Sequence, residues 1–237
     1  MTRRVVQRRR AAALREQRAR EQRRRRQVRA TVAAALTLLL AGVVGFVIYV
    51  QQRPADDFAV PASATGDRTG IAVGTGPVTV EVYLDYLCPA CRAFEENAGA
   101  TLDRLVADGR ITLVYHPVAI LDRYSTNRYS SRAAAGAGCA ADAGKLPEYT
   151  LALYADQPAE GGPGHTDERL VDIAAGAGID REAFGQCLRD GRYADWVVHV
   201  TDAMAARGVR GTPTVFVDGR QLTNPTGEAI EAAVSQA

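Results

Sequence analysis

The feature that most limits what this chain can become is four residues long. Cys88-Pro89-Ala90-Cys91 sits where an alternating segment gives way to a helical one. Before it, the run from Val78 to Asp85 places Val78, Val80, Val82 and Leu84 at every second position, the period of a strand. After it, Arg92 to Val106 has no proline and carries Phe94, Leu102, Leu105 and Val106. That pattern predicts a helix, with an irregularity around Asn97 to Gly99. Cys88 therefore stands beside a helix N-terminus. Such an end carries roughly half a positive charge and unpaired N–H groups, and both favour the thiolate, the reactive form of cysteine. Pro89 has no N–H to leave unsatisfied in the first turn. Two intervening residues let the sulfurs meet over one turn, so that Cys88 attacks a partner disulfide and Cys91, one turn deeper, resolves the mixed disulfide.

Two other readings of Cys-x-x-Cys stand beside the redox one: half of a zinc site and a purely structural disulfide. Zinc needs two more ligands. His116, His165 and His199 are scattered and the remaining cysteines, Cys139 and Cys187, are solitary, so no metal is expected. A distant segment favours redox chemistry. Gly211-Thr212-Pro213-Thr214 leads into Val215-Phe216-Val217 and then Asp218-Gly219, a strand followed by a hairpin turn, with a last helix from Glu228 to Val234. Proline is tolerated at the first position of a buried strand. A cis Thr–Pro bond there turns the chain tightly and presents backbone groups beside the sulfurs.

Asp85-Tyr86-Leu87-Cys88-Pro89-Ala90-Cys91, paired with Gly211 to Gly219, resembles the thioredoxin-like fold in its DsbA-type form, over about Pro77 to Ala237. The chain looks like the membrane-anchored DsbA-like oxidoreductases of high-GC Gram-positive bacteria. The resemblance implies an α/β, thioredoxin-like fold with a helical domain inserted between the second strand and the cis-Pro strand. Arg110 to Val118 reads as that second strand. The insertion runs from about 121 to 207, with helices at Asn127–Ala141, Thr166–Ala175, Arg181–Arg189 and Tyr193–Ala206. The resemblance also implies that Cys88 is the nucleophile and Cys91 the resolving thiol. It implies a cis peptide at Pro213 and a substrate-contacting Thr212, with Pro89 and Ala90 supporting the site. Ala90 stands where the DsbA oxidase carries a histidine that helps hold the thiolate, so a weaker stabilisation is expected. Thr212 stands where that oxidase has valine, and threonine there is shared with some isomerases and reductases.

With Cys88 and Cys91 assigned to the redox pair, Cys139 and Cys187 are expected to form a structural disulfide; free buried thiols and a second redox pair are the alternatives. Glu81 and Asp85 share one face of the strand by its period of two. The resemblance offers either of them as the acid that takes the Cys91 proton; an edge charge, or a helix cap at Asp85, is the plainer role. His116 is expected on the surface or in the core rather than in catalysis, and His165, in a glycine-rich loop, in solvent. Trp196, Val197, Val200 and Met204 recur at helical spacing and read as core. Tyr124, Tyr129 and Tyr149 are candidates for lining a peptide groove.

The first sixty residues differ from the rest. Residues 1–29 hold 13 arginines and 2 glutamates, and the remainder holds 16 basic and 25 acidic residues. Such asymmetry predicts a basic arm attached to an acidic body. Ala30 to Val50 is an uncharged run of 21 residues, long enough to span a bilayer. The arginines before it keep the N-terminus in the cytoplasm and send the C-terminal part across. A cleaved signal peptide has a shorter apolar region, so an uncleaved single-pass anchor is expected in the cell membrane. Residues 51–76 show no period and read as a flexible linker. With a membrane span directly after the arm, anionic lipid is its expected contact and nucleic acid is not. Apolar residues at 47% exclude wholesale disorder.

The function expected is an extracytoplasmic thiol–disulfide oxidoreductase that introduces disulfides into exported proteins carrying free cysteines. Its alternatives are a reductase or isomerase of the same fold, or a non-catalytic cell-surface binding module with a structural Cys-x-x-Cys bond. No cofactor is required, since the cysteines carry the electrons. The family implies a quinone-linked membrane reoxidant, a vitamin K epoxide reductase homologue or a DsbB-like protein. A monomer is expected.

Overall fold

The alternation before Cys88 becomes a central strand. In the computed structural model, which describes residues 38–42 and 58–237, a five-stranded sheet has the order β1-β3-β2-β4-β5. The strands are β1 (Ile71–Val73), β2 (Val78–Leu84), β3 (Ile111–Pro117), β4 (Thr214–Val217) and β5 (Arg220–Gln221). β2 and β3 are parallel and joined by helix α1 (Pro89–Ala107); every other pair is antiparallel. Val82 lies between Tyr115 and Val215, and Val80, Val82 and Leu84 are buried. Helix α7 (Gly227–Val234) packs on α1.

Between β3 and β4 the chain makes five α-helices: α2 (Tyr129–Asp142), α3 (Leu146–Ala155), α4 (Asp167–Gly176), α5 (Arg181–Arg189) and α6 (Ala194–Ala206). The centre of this block is α2, with 11 of its 14 residues buried, and α3, α4, α5 and α6 all pack on it. Its run of alanine and glycine permits this close approach. A Cβ on Gly138 would lie 2.6 Å from the Tyr193 ring. Three helix N-termini, those of α4, α5 and α7, are closed by side chains: Thr166, Asp180 and Thr226 accept from Arg169, Ala183 and Ala229 N–H groups. The chain thus forms a thioredoxin-like α/β fold with an inserted helical domain.

Three expectations need correcting. The flexible linker does not reach residue 76. Ile71 is fully buried, β1 pairs with β3, and Trp196 Nε1 donates to the Arg68 carbonyl at 2.8 Å. The stretch is rich in turn-forming residues because it folds into turns. The Asp67 carboxylate accepts from the Thr69 N–H and from both the Thr65 and Thr69 hydroxyls. A three-residue strand is also too short to show a period. Second, α1 is continuous through Asn97 to Gly99. Ala98 and Gly99 are buried, and the Asn97 side chain accepts from the N–H of Gly227 at the start of α7. The small and polar residues there serve a helix–helix contact. Third, α3 was not among the expected helices. Its Pro147 stands in the first turn, where proline starts a helix rather than breaking it.

The basic arm, 1–29, and the proposed anchor, 30–50, lie outside the described residues apart from 38–42, which are helical. Among the described residues no helix is long and apolar enough to cross a membrane.

Candidate active site

β2 stops at Leu84, and a turn carries the chain to α1. Asp85 builds that turn. Its carbonyl accepts from Cys88 N at 3.0 Å and its carboxylate from Leu87 N at 2.9 Å. Cys88 is the N-cap of α1, and no side chain caps the helix there. The N–H groups of Ala90 and Cys91 in the first turn face the sulfur. Cys88 and Cys91 are free thiols, 8% and 1% exposed.

The two sulfurs have opposite acid–base characters. The Cys88 thiol is lowered to about 6, chiefly by a hydrogen bond from the Cys91 thiol. Thr212 and the N–H groups of Cys91 and Ala90 add to this, against the cost of burial. Cys91 is pushed well above the ordinary thiol value, first by burial and then by the neighbouring Cys88. At neutral pH one sulfur is a thiolate and the other a thiol. The Thr212–Pro213 bond is cis, and the Thr212 carbonyl lies 3.3 Å from the Cys88 sulfur. Beside Cys88 opens a groove of about 590 Å³, lined by Leu121, Tyr124, Met204, Val209, Arg210 and Thr212 among others.

A family described as Thioredoxin matches residues 67–236. Reduced DsbA from Mycobacterium tuberculosis is 34% identical, with 71% of this chain and 91% of that chain covered and a TM-score of 0.64. The chain belongs to the thioredoxin family, in its DsbA-like form. Reduced DsbG from the same organism is 35% identical, covering 72% of this chain and 88% of that one, at a TM-score of 0.64. The serine/threonine-protein kinase PknE of M. tuberculosis is 27% identical over 177 residues, 70% of this chain but 31% of the kinase. The chain thus spans about a third of the length of that curated relative.

On this thioredoxin-family frame the two candidate acids part company. Asp85 is fully buried at the redox turn and is raised to about 6, chiefly by burial. Ser130 Oγ donates to it at 2.6 Å and Leu121 N at 3.0 Å, so one carboxylate ties the turn to α2 and to the groove wall. Glu81 is held instead by Arg207 and by His116. Although burial opposes it, these partners bring Glu81 down to about 2. A carboxylate so firmly ionised is an ion-pair anchor for the sheet. His116 is 2% exposed, stacked on Tyr83 at 4.2 Å. His165 is not in open solvent: Arg132 and Asn127 donate to its carbonyl, and its ring reaches the Asp156 carbonyl. Tyr129 and Tyr149 are fully buried, so of the three tyrosines only Tyr124 lines the groove. Cys139 and Cys187 are joined by a disulfide that ties α2 to α5. Trp196, Val197, Val200 and Met204 are core.

Sequence reasoning missed two polar residues. Glu95, one turn beyond Cys91 on α1, is raised to about 7 by burial and by Asp103, and it lines a second cavity of about 560 Å³. Its spacing of four from Cys91 was the available signal. Gln157 donates to the carbonyls of Tyr86 and Cys88, both at 3.0 Å. No local motif marks it.

Proposed function

We propose that this chain is an extracytoplasmic oxidase that passes the Cys88–Cys91 disulfide to exported proteins. The observation that carries the reading is the split between the two sulfurs, one stabilised as thiolate and the other buried as thiol. A substrate thiolate attacks the Cys88 sulfur of the disulfide. The Cys88–Cys91 bond breaks, and its electron pair goes to Cys91, which takes up a proton because its pKa is high. A second substrate thiolate then attacks the substrate sulfur of the mixed disulfide and expels Cys88 as a thiolate. A low-pKa thiol leaves faster. The substrate is oxidised by two electrons and the Cys88–Cys91 pair is reduced by two. The groove beside Cys88 offers the seat for the substrate chain.

The direction of transfer follows from which form is favoured. With Cys88 at about 6, ionisation at pH 7 favours the reduced form by about 1.4 kcal/mol, or about 30 mV. That value lies between those of thioredoxin, about 7, and DsbA, about 3.5. The potential is therefore expected between those of the two proteins, about −270 and about −120 mV. The proposed location is the outer face of the cell membrane, held by residues 30–50, with a quinone-linked membrane protein as reoxidant.

The test is equilibration in graded glutathione buffers, followed by alkylation and counting of modified thiols by mass. Two thiols titrating together near or above about −180 mV support the oxidase. A midpoint near about −270 mV assigns a reductase instead. Resistance to reduction below about −300 mV would make the bond structural and the protein a binding module. Cys88→Ser is expected to abolish oxidation of a reduced test protein, and full activity would refute the mechanism.

A further inference from the structure

Four hydrogen bonds from side chains of the helical block reach the Asp85 carboxylate and the backbone of the redox turn. Ser130 Oγ donates to the Asp85 carboxylate at 2.6 Å and Tyr154 Oη to the Asp85 carbonyl at 3.3 Å. The other two come from one side chain, Gln157, to the carbonyls of Tyr86 and Cys88.

The bond to Cys88 has a specific consequence. Pro89 has no N–H, so the carbonyl of Cys88 is the only polar handle on the peptide unit that joins the nucleophile to its helix. That carbonyl also accepts from Cys91 N at 3.1 Å and Arg92 N at 3.2 Å, the first bonds of α1. Its direction is set by ψ of Cys88, which is 116°. The same rotation decides how the Cys88 sulfur meets the Ala90 and Cys91 N–H groups that stabilise its charge. Gln157 is suited to hold it. It lies just past the end of α3 and before Pro158, which restricts its backbone to extended conformations.

We propose that Gln157 is a positioning residue for the redox pair, holding the Cys88–Pro89 peptide so that the N-terminus of α1 is aimed at the Cys88 sulfur. The inference rests on the redox reading of Cys88 and adds that the inserted helical block sets the reactivity of the nucleophile. Gln157 takes no part in electron transfer.

The experiment is a titration of Cys88 in the reduced full chain, read by thiolate absorbance and by alkylation rate. It is run on the unaltered protein and on Gln157→Met, which keeps the length and removes both donors. Circular dichroism and a closed Cys139–Cys187 bond report folding. Gln157→Met is expected to raise the Cys88 pKa by about half a unit or more, roughly a threefold loss of thiolate below the pKa. A general loss of stability would not move that titration. An unmoved or lowered pKa in a folded Gln157→Met overturns the proposal. Should that variant not fold, Gln157→Asn is titrated instead; its shorter amide keeps a donor but cannot span both carbonyls. The same shift is expected, and the same invariance is fatal. If Cys88 of the unaltered protein titrates at the ordinary thiol value, the redox reading fails and this inference falls with it. A low value there with an unmoved variant removes the inference alone.

Discussion

Cys88 and Cys91 are three positions apart and chemically opposite. The cause is a single helical turn: the second sulfur, sealed in the core, donates to the first, which also faces the N–H groups of Ala90 and Cys91. This difference has a measurable signature. Below the Cys88 pKa, reduction takes up two protons; above it, one. The reduction potential is expected to fall by about 59 mV per pH unit below pH 6 and by about 30 mV above it. A constant slope across pH 5–8 would place the Cys88 pKa elsewhere. Glu95 supports a second prediction. Its folded pKa, about 7, lies above the ordinary carboxylate value. The folded state thus holds that proton more tightly than the unfolded chain does. The penalty on folding is complete above pH 7 and is relieved as pH falls towards 4.5. Glu95→Gln in the oxidised protein is expected to add about 1–3 kcal/mol at pH 8 and almost nothing at pH 4.5. Urea unfolding at the two pH values checks this, and equal effects at both would refute it.

At the scale of elements, sequence legibility tracked period and length. β2, β3 and most helices declared themselves because seven or more residues repeat one pattern. The redox turn was legible because cysteine is rare in this chain and the spacing of Cys88 and Cys91 is chemical. β1 was not legible, because three residues cannot establish a period and the turns before it share the composition of a linker. α3 was obscured by a proline that starts the helix. The separation of Glu81 from Asp85 was out of reach for a different reason. Both lie near the redox turn in sequence, but their partners, Arg207 and Ser130, come from opposite ends of the helical block. Gln157 is a contact between segments 69 and 71 residues apart, with no local trace. The re-drawn boundary is itself testable. A protein beginning at Phe58 is expected to keep the full stability of the folded body. One beginning at Pro77 loses β1, uncovers the edge of β3 and strands the Trp196 N–H, at a cost of about 3 kcal/mol or more. Equal urea midpoints for the two would return residues 58–76 to the status of linker.

For the molecule as a whole, the sheet supplies the reactive turn and the helical block supplies its support. The Cys139–Cys187 bond holds that block together across a sequence separation of 48. In the chain-entropy model a loop of this size contributes about 4 kcal/mol. The Cys139→Ala, Cys187→Ala double variant is expected to unfold at correspondingly lower denaturant, measured with Cys88–Cys91 oxidised in both proteins. A midpoint within error of the unaltered chain would show that the block holds without its bond. The same bond has a consequence for how the protein comes into being. On the proposed reading as an exported oxidase, a new copy starts with Cys139 and Cys187 still reduced, and so belongs to the clientele of the copies already finished. Maturation is then self-propagating: each completed molecule recruits the next. Started from reduced, unfolded chains with the small-molecule oxidant held low, the time course accelerates after a lag, and a trace of finished protein added at the outset removes the lag.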